Sequence, residues 1–485
     1  MKKIVLTLSI CALAAFGASA QSLQTAYFLD NNPFNFRLSP SLVGEKSFVS
    51  IALGDINPSV QSDLGINSLI FPDPSGTGLT TGLSPKISSD EFLGGLKDAN
   101  SLAFGINMNL LSTGSWGRKC FNTFEVNLRG DVFASLPKDM FALLKSGAPR
   151  TYDMQYLHAG AQMWGEIAFG KAYPIFDGLT VGAKLKFLVG AANANINLNQ
   201  ADVTVTDETV GAAVDGDLRI AAQVLTMGTK VSEQTGNTIL DVSSLGFSTQ
   251  NLKPAGYGAA IDLGVTYTPM ENLDVTFSLN DIGAIAWNYN IFGHSESSAS
   301  ITGLTEDVYI KETFSKMGEQ LSDAADKLLS LAEFEQKSGQ KSTEWLPWSL
   351  NLGGRYRMPF YDRLSAGLLF THKQSKYIGF NDFRVGATIT PVDWFSFSSN
   401  IGTSSFGPVC GMAAALNVIG INFTLGFDGW AGSVMNVPLE DLPIKSVNVP
   451  LNPFRANLKL GVAITFGKRN SPFKERVRTK EEAAE

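Results

Sequence analysis

From Phe454 to Gly467 the chain alternates without a break. Phe454, Ala456, Leu458, Leu460, Val462, Ile464 and Phe466 are apolar, while Arg455, Asn457, Lys459, Gly461, Ala463, Thr465 and Gly467 between them are polar or small. A period of two marks a β-strand with two unlike faces. Strands of soluble sheets average five or six residues. A stretch this long, whose apolar face no charge interrupts, points to a sheet with lipid on one side.

The pattern recurs. Phe124, Val126, Leu128 and Val132 alternate with Glu125, Asn127, Arg129 and Asp131, and Leu179, Val181, Ala183, Leu185 and Phe187 alternate with Thr180, Lys184 and Lys186. Leu273–Leu279, Ile421–Phe427 and Phe383–Ile389 repeat it. Fourteen such segments fall near 47–55, 101–112, 120–134, 156–170, 178–194, 256–268, 272–289, 347–357, 363–373, 380–390, 393–403, 408–418, 420–430 and 454–467. Short connections, as at 113–119 and 171–177, alternate with mostly longer ones, as at 56–100, 195–255 and 290–346. That asymmetry, with an even strand number, predicts an all-β transmembrane antiparallel barrel with both termini on the short-turn, periplasmic side. Tyr267-Thr268-Pro269, Arg357-Met358-Pro359 and Ile389-Thr390-Pro391 end strands on a residue that cannot donate to a ladder. Two aromatic belts are expected, Tyr173, Phe176, Tyr267, Phe360, Tyr361 and Trp394 at that rim and Trp287, Tyr289, Trp345, Trp348 and Trp430 at the other. The rival architecture is a soluble β-sandwich, which also alternates.

Composition agrees. Charged residues make up 17% of the 485, the formal net charge is −7, and there are 47 Gly and 32 Phe. A disordered chain would be charge-rich and aromatic-poor, a nucleic-acid binder basic, and a disulfide scaffold short and dense in cysteine. Met1–Ala20 reads as a secretory signal cleaved before Gln21: Lys2 and Lys3, an apolar core, then Ala18-Ser19-Ala20. Cys11 within it leaves a lipoprotein anchor as the alternative. Beyond Ala20 no apolar run of 18 residues predicts a transmembrane helix. Residues 21–46 precede the barrel, 47–467 form it and 468–485 make a solvated periplasmic tail.

The opening Tyr27-Phe28-Leu29-Asp30 and Arg37-Leu38-Ser39-Pro40, with the proline-punctuated hairpins, resembles a family of Bacteroidota outer-membrane barrels of unknown function. That family is similar in turn to the fourteen-stranded long-chain fatty-acid transporter (FadL) type. The family pattern has Asn before the proline and Ala after it, where this chain has Ser39 and Ser41. The resemblance implies that residues 21–46 are a plug-like N-terminal hatch in the lumen, and that hydrophobic or amphipathic small molecules pass. A fold does not confer a function, and a non-transport barrel anchoring a secretion or surface complex is the other reading.

The phase of the strands sends Glu125, Arg129, Asp131, His158, Gln162, Trp164, Glu166, Lys184, Lys186, Asp262, Asp274, Arg355, Arg357, Arg384, Asp428, Arg455 and Lys459 into the lumen. One reading is a salt-bridged filling, since unpaired buried charge is costly. The other is a basic lining of Lys184, Lys186, Arg355 and Arg357 that attracts an anionic solute such as a carboxylate. Trp164, Leu188 and Leu369 are the apolar lumen positions. His158, beside Trp164 and Glu166, has no Ser or Asp partner at recognisable spacing, so no enzyme activity is expected. No phosphate loop or metal-ligand spacing is present, and no cofactor is expected. The acidic stretch Asp202–Asp217 reads as a solvated loop before a Ca²⁺ site. Ile310, Phe314, Met317, Leu321, Ala325 and Leu328 step by three and four, an amphipathic helix in the 290–346 outer loop. The expected partners are outer-membrane lipid and a hydrophobic or anionic small molecule, with no nucleic acid and no protein partner named by the sequence.

Overall fold

Alternation of apolar and polar residues gives each strand a lipid face and an interior face, and a closed ring leaves neither an edge nor an unpaired backbone group in the bilayer. The computed structural model describes residues 24–74, 79–207, 209–232, 235–248, 253–302, 333–376, 379–430, 434–438, 446–450 and 454–468. The ring strands are β1 (Lys46–Ser62), β2 (Ala99–Trp116), β3 (Phe121–Pro137), β4 (His158–Phe176), β5 (Leu179–Val205), β6 (Gly256–Met270) and β7 (Leu273–Tyr289). They continue as β8 (Trp348–Arg357), β9 (Leu364–Gln374), β10 (Gly379–Val392), β11 (Phe395–Ser404), β12 (Gly407–Val418), β13 (Ile421–Trp430) and β14 (Phe454–Lys468). Each pairs antiparallel with the next. Val60 of β1 lies opposite both Ala456 of β14 and Phe104 of β2, which closes a fourteen-stranded barrel. All fourteen sequence segments coincide with ring strands.

The two faces separate as the alternation requires. On β14, Leu458, Leu460, Val462 and Ile464 are exposed while Asn457, Lys459, Gly461 and Ala463 are buried. Phe169, Phe187, Leu185, Phe277, Leu368, Phe383, Phe423 and Phe427 extend this outer cladding around the ring. Such a continuous apolar surface is far larger than a soluble monomer carries. It is the outer band of a transmembrane barrel, and it sets aside the soluble sandwich. Tyr173, Phe176, Tyr267, Phe360, Tyr361 and Trp394 are exposed at the short-turn rim.

The opposite belt needs correction. Trp287 and Tyr289 are 1% exposed and point inward. The cause is a bulge: Ile261 pairs with Ile282 but Leu263 pairs with Leu279, and Asp281 takes the extra place at φ 64°. One extra residue exchanges the faces of everything beyond it. Trp345 is exposed and Trp348 half-buried, and the Trp430 side chain lies outside the described residues.

Above the barrel, strands replace the loop expected at 195–255. β5 runs on to Val205, and Thr209–Ala221 pairs with its outer half and with Ile291–Thr302. Of the three α-helices among the described residues, α1 (Thr25–Phe28) lies inside the ring, while α2 (Ser89–Gly94) and α3 (Lys138–Ser146) pack in the outer connections, with Phe92 edge-on to Phe141. Met154, Val203, Val205, Val210 and Leu143 form a small core under them. The signal sequence, the 310–328 helix and the tail from 469 lie outside the described residues.

Candidate functional site: the barrel interior

The interior polar residues meet residues 24–42, which run through the lumen. Gln24 N donates to Asp428 Oδ2 at 2.7 Å, and the Thr25 hydroxyl bonds the same carboxylate. Thr388 Oγ1 donates to the Phe28 carbonyl at 2.6 Å. Ser278 Oγ and Asn280 Nδ2 both donate to the Leu38 carbonyl, at 2.9 and 2.8 Å. Inward glycines provide the clearance. A Cβ at Gly353 would come within 2.4 Å of the Tyr27 ring, and one at Gly182 within 2.3 Å of the Pro40 backbone. Phe34 and Phe36 pack with Phe48, Phe121 and Ala463 near the short-turn end.

Charge inside the ring is organised in islands. In the first, Lys459 Nζ lies 2.6 Å from Asp55, which also pairs with Arg37. Arg37 Nε reaches Glu125 at 3.3 Å, and Lys184 Nζ lies 2.6 Å from the other oxygen of that carboxylate. Lys186 lies 2.7 Å from Asp262 and 2.6 Å from Asp281. Arg129 grips Asp281 with both terminal nitrogens, at 2.7 and 3.1 Å, and contacts Glu166 at 3.2 Å. Arg37, Arg129, Lys184, Lys186 and Lys459 thus face Asp55, Glu125, Glu166, Asp262 and Asp281, an equal number of bases and acids. In the second island Arg384 bonds Asp382 at 2.8 Å and Asp428 at 2.7 Å, and Arg455 bonds Asp382 at 2.5 Å. Arg355 lies 2.8 Å from Asp30 of the N-terminal segment and 3.6 Å from Asp274. Buried ions in such numbers require this degree of pairing.

The structure therefore gathers Glu125, Arg129, Glu166, Lys184, Lys186 and Lys459 into one cluster and Arg384 with Arg455 into another. Asp131 accepts from Gln162 at 3.3 Å. Trp164 is fully buried under the Arg129 guanidinium, 5.2 Å from its ring. His158 is half-buried at the start of β4, eight residues from Glu166, and is not grouped with it. Arg357 stands exposed at the mouth. Arg37, Asp55, Asp281, Asp382 and Lys373 were not among the expected interior residues. Arg37 lies in the quoted N-terminal stretch, and Asp382 precedes Arg384 at the same phase, so both carried a usable signal. Asp281 is inward only because of the bulge.

Among the described residues the lumen holds cavities of about 50 Å³ at two places. One lies among Arg37, Asn107, Glu125, Lys186, Asp281 and Lys373, the other among Asp131, Gln162, Asn195, Glu344, Lys373 and Phe380. Each has room for a few waters, far below the ~300–1,000 Å³ of a small-molecule site. One side of the wall is apolar: Trp164, Leu188, Ile285, Trp287, Tyr289 and Leu346 cluster there. The indole N–H groups of Trp164 and Trp287 have no hydrogen-bond partner among the described residues. No group of three or more His, Cys, Asp or Glu there could hold a metal.

A membrane-spanning barrel with a filled, charge-paired interior is the class this geometry defines. Residues 40–428 match the family of unknown function DUF5723, and the chain belongs to that family. No curated protein matches it. In fold it is similar to the toluene transporter TbuX of Ralstonia pickettii, at 10% identity over 94% of this chain and 100% of that one, TM-score 0.43. It is similar too to a FadL homologue of Pseudomonas aeruginosa, at 9% over 93% and 100%, TM-score 0.44. The toluene transporter TodX of P. putida aligns at 9% over 93% and 97%, TM-score 0.41.

Proposed function

We propose that this chain is an outer-membrane channel that admits hydrophobic or amphipathic small molecules and is held shut, in the state described, by its own N-terminal segment. The observation that carries the reading is that segment's position. Every ring strand is paired on both edges by other ring strands, so residues 24–42 add nothing to the backbone ladder and occupy the lumen through side-chain and carbonyl contacts to the wall. Their removal leaves the ring's hydrogen bonding intact and opens a passage. The wall of Trp164, Leu188, Ile285 and Trp287, with two indole donors to spare, suits a solute that is apolar with a polar end. The plug role of residues 21–46, the lumen role of the charged residues and export through the Met1–Ala20 signal all belong to this proposal. It assigns the chain no catalysis.

The charge-balanced interior favours a second reading, a closed barrel that anchors a complex and passes nothing. Planar-bilayer conductance and liposome uptake of a labelled fatty acid separate the two. Transport predicts a nearly silent full-length protein and steady conductance with uptake once residues 24–44 are deleted. A deleted barrel that folds and yet admits no fatty acid leaves the anchoring reading in its place.

A further inference from the structure

The outer wall carries a groove near the short-turn rim that the interior chemistry does not use. Phe124 of β3, Phe169 of β4, Leu185 of β5 and Ile261 of β6 bound it, and its volume is about 510 Å³. Composition makes the dip. Thr113, Ser115 and Ala183 are small residues at outward positions whose neighbours in the cladding are Phe, Leu and Ile. Phe124 and Phe169 stand 5.1 Å apart, a firm side to the groove.

A base closes the rim end. Lys171 faces outward and exposed, opposite Asn122 on β3 and Ala183 on β5. It lies two residues inside Tyr173 of the aromatic belt, the depth at which a lysine stem lies in lipid and its ammonium reaches the headgroups. Arg118 and Lys119 are exposed in the β2–β3 turn at the same rim, with the acids Glu45 ahead of β1 and Asp177 in the β4–β5 turn. An apolar slot under a basic lip is complementary to an amphipathic anion.

We infer that this groove binds one anionic phospholipid of the periplasmic leaflet, with its phosphate at Lys171 and an acyl chain between Phe169 and Leu185. The site requires the barrel to sit in a bilayer and does not require it to transport anything. Failure of either idea therefore leaves the other untouched.

Native mass spectrometry of the full-length barrel, released from detergent with phosphatidylglycerol or phosphatidylcholine, tests it. Retained phosphatidylglycerol adducts should exceed phosphatidylcholine adducts, and Lys171→Ala should cut that preference about fivefold, the weight of one basic residue at an anionic surface. Ala183→Leu, which fills the slot and alters no charge, should reduce adducts of both lipids. Heat-modifiable migration in gels reports folding of each variant. Should Lys171→Ala fail to fold, Ala183→Leu decides alone. Equal retention of the two lipids by the native protein, an unchanged preference in folded Lys171→Ala, or unchanged adducts in Ala183→Leu each overturn the inference.

Discussion

Arg384 is held between two carboxylates and Asn400 at 1% exposure, so its charge is worth what its neighbours make of it. Arg384→Met leaves Asp428 without its cation and should lower stability by about 3–5 kcal/mol, the usual result of stranding one partner of a buried pair. Adding Asp428→Asn leaves the neutral Arg455–Asp382 pair and should recover part of the loss. Urea unfolding in vesicles, followed by tryptophan fluorescence, measures both; a double variant no better than the single would refute pairing as the cause. On the lipid face the rule is reversed. Leu460 is 45% exposed at mid-strand, and Leu460→Arg should cost about 2–4 kcal/mol in the bilayer. Leu460→Phe, which keeps an apolar face toward lipid, should cost little by the same measurement. Gly461 next to it is covered by Phe34, 3.1 Å from where a Cβ would stand. An arginine there meets the N-terminal segment instead of lipid.

At the scale of elements, the strands were legible wherever lipid lies against them. Leu179–Phe187 and Phe454–Phe466 alternate because one face must be apolar, and the contrast survives in the sequence alone. Beyond residue 194 the same alternation runs on through Asn195, Ile196, Asn197, Leu198 and Asn199 and, after a slip between Leu198 and Gln200, through Val203, Thr204 and Val205, so the outer half of β5 was legible too; what the local pattern hides is its partner, Thr209–Ala221. The bulge at Asp281 was hidden for another reason. A single residue in an αL conformation reverses the faces of Ile285, Trp287 and Tyr289 without altering composition. The interior charges were legible by phase, but not the fact that Arg37 of the N-terminal segment joins Asp55 to Glu125, because no local pattern announces a partner on another element. That segment has its own test. Gly353→Val sets a branched side chain against the Tyr27 ring and leaves the lipid face unaltered. It should loosen residues 24–42 and raise bilayer conductance several-fold while the barrel still runs as a folded band; a silent, folded variant would show that the segment stays seated despite the clash.

For the whole molecule the decisive quantity is the sum of interior charge. Lys184, Lys186, Arg355 and Arg357, read alone, suggested a basic lining with an appetite for anions. In place, the first three each lie beside a carboxylate and Arg357 stands exposed at the mouth, with Arg129, Arg384, Arg455, Lys459 and Lys373 set against Asp55, Asp131, Glu166, Asp382 and Asp428 in the lumen. Deleting residues 24–44 removes Arg37 together with Asp30, one charge of each sign, and so leaves that balance standing. A pore whose fixed charges nearly cancel gives neither ion a consistent advantage along its length. The opened variant should therefore show a reversal potential near zero in a KCl gradient, and discriminate among solutes by size and polarity more than by sign. A strong preference for chloride would mean that the lysines separate from their carboxylates once the segment leaves, and would restore the basic lining as the working surface of the channel.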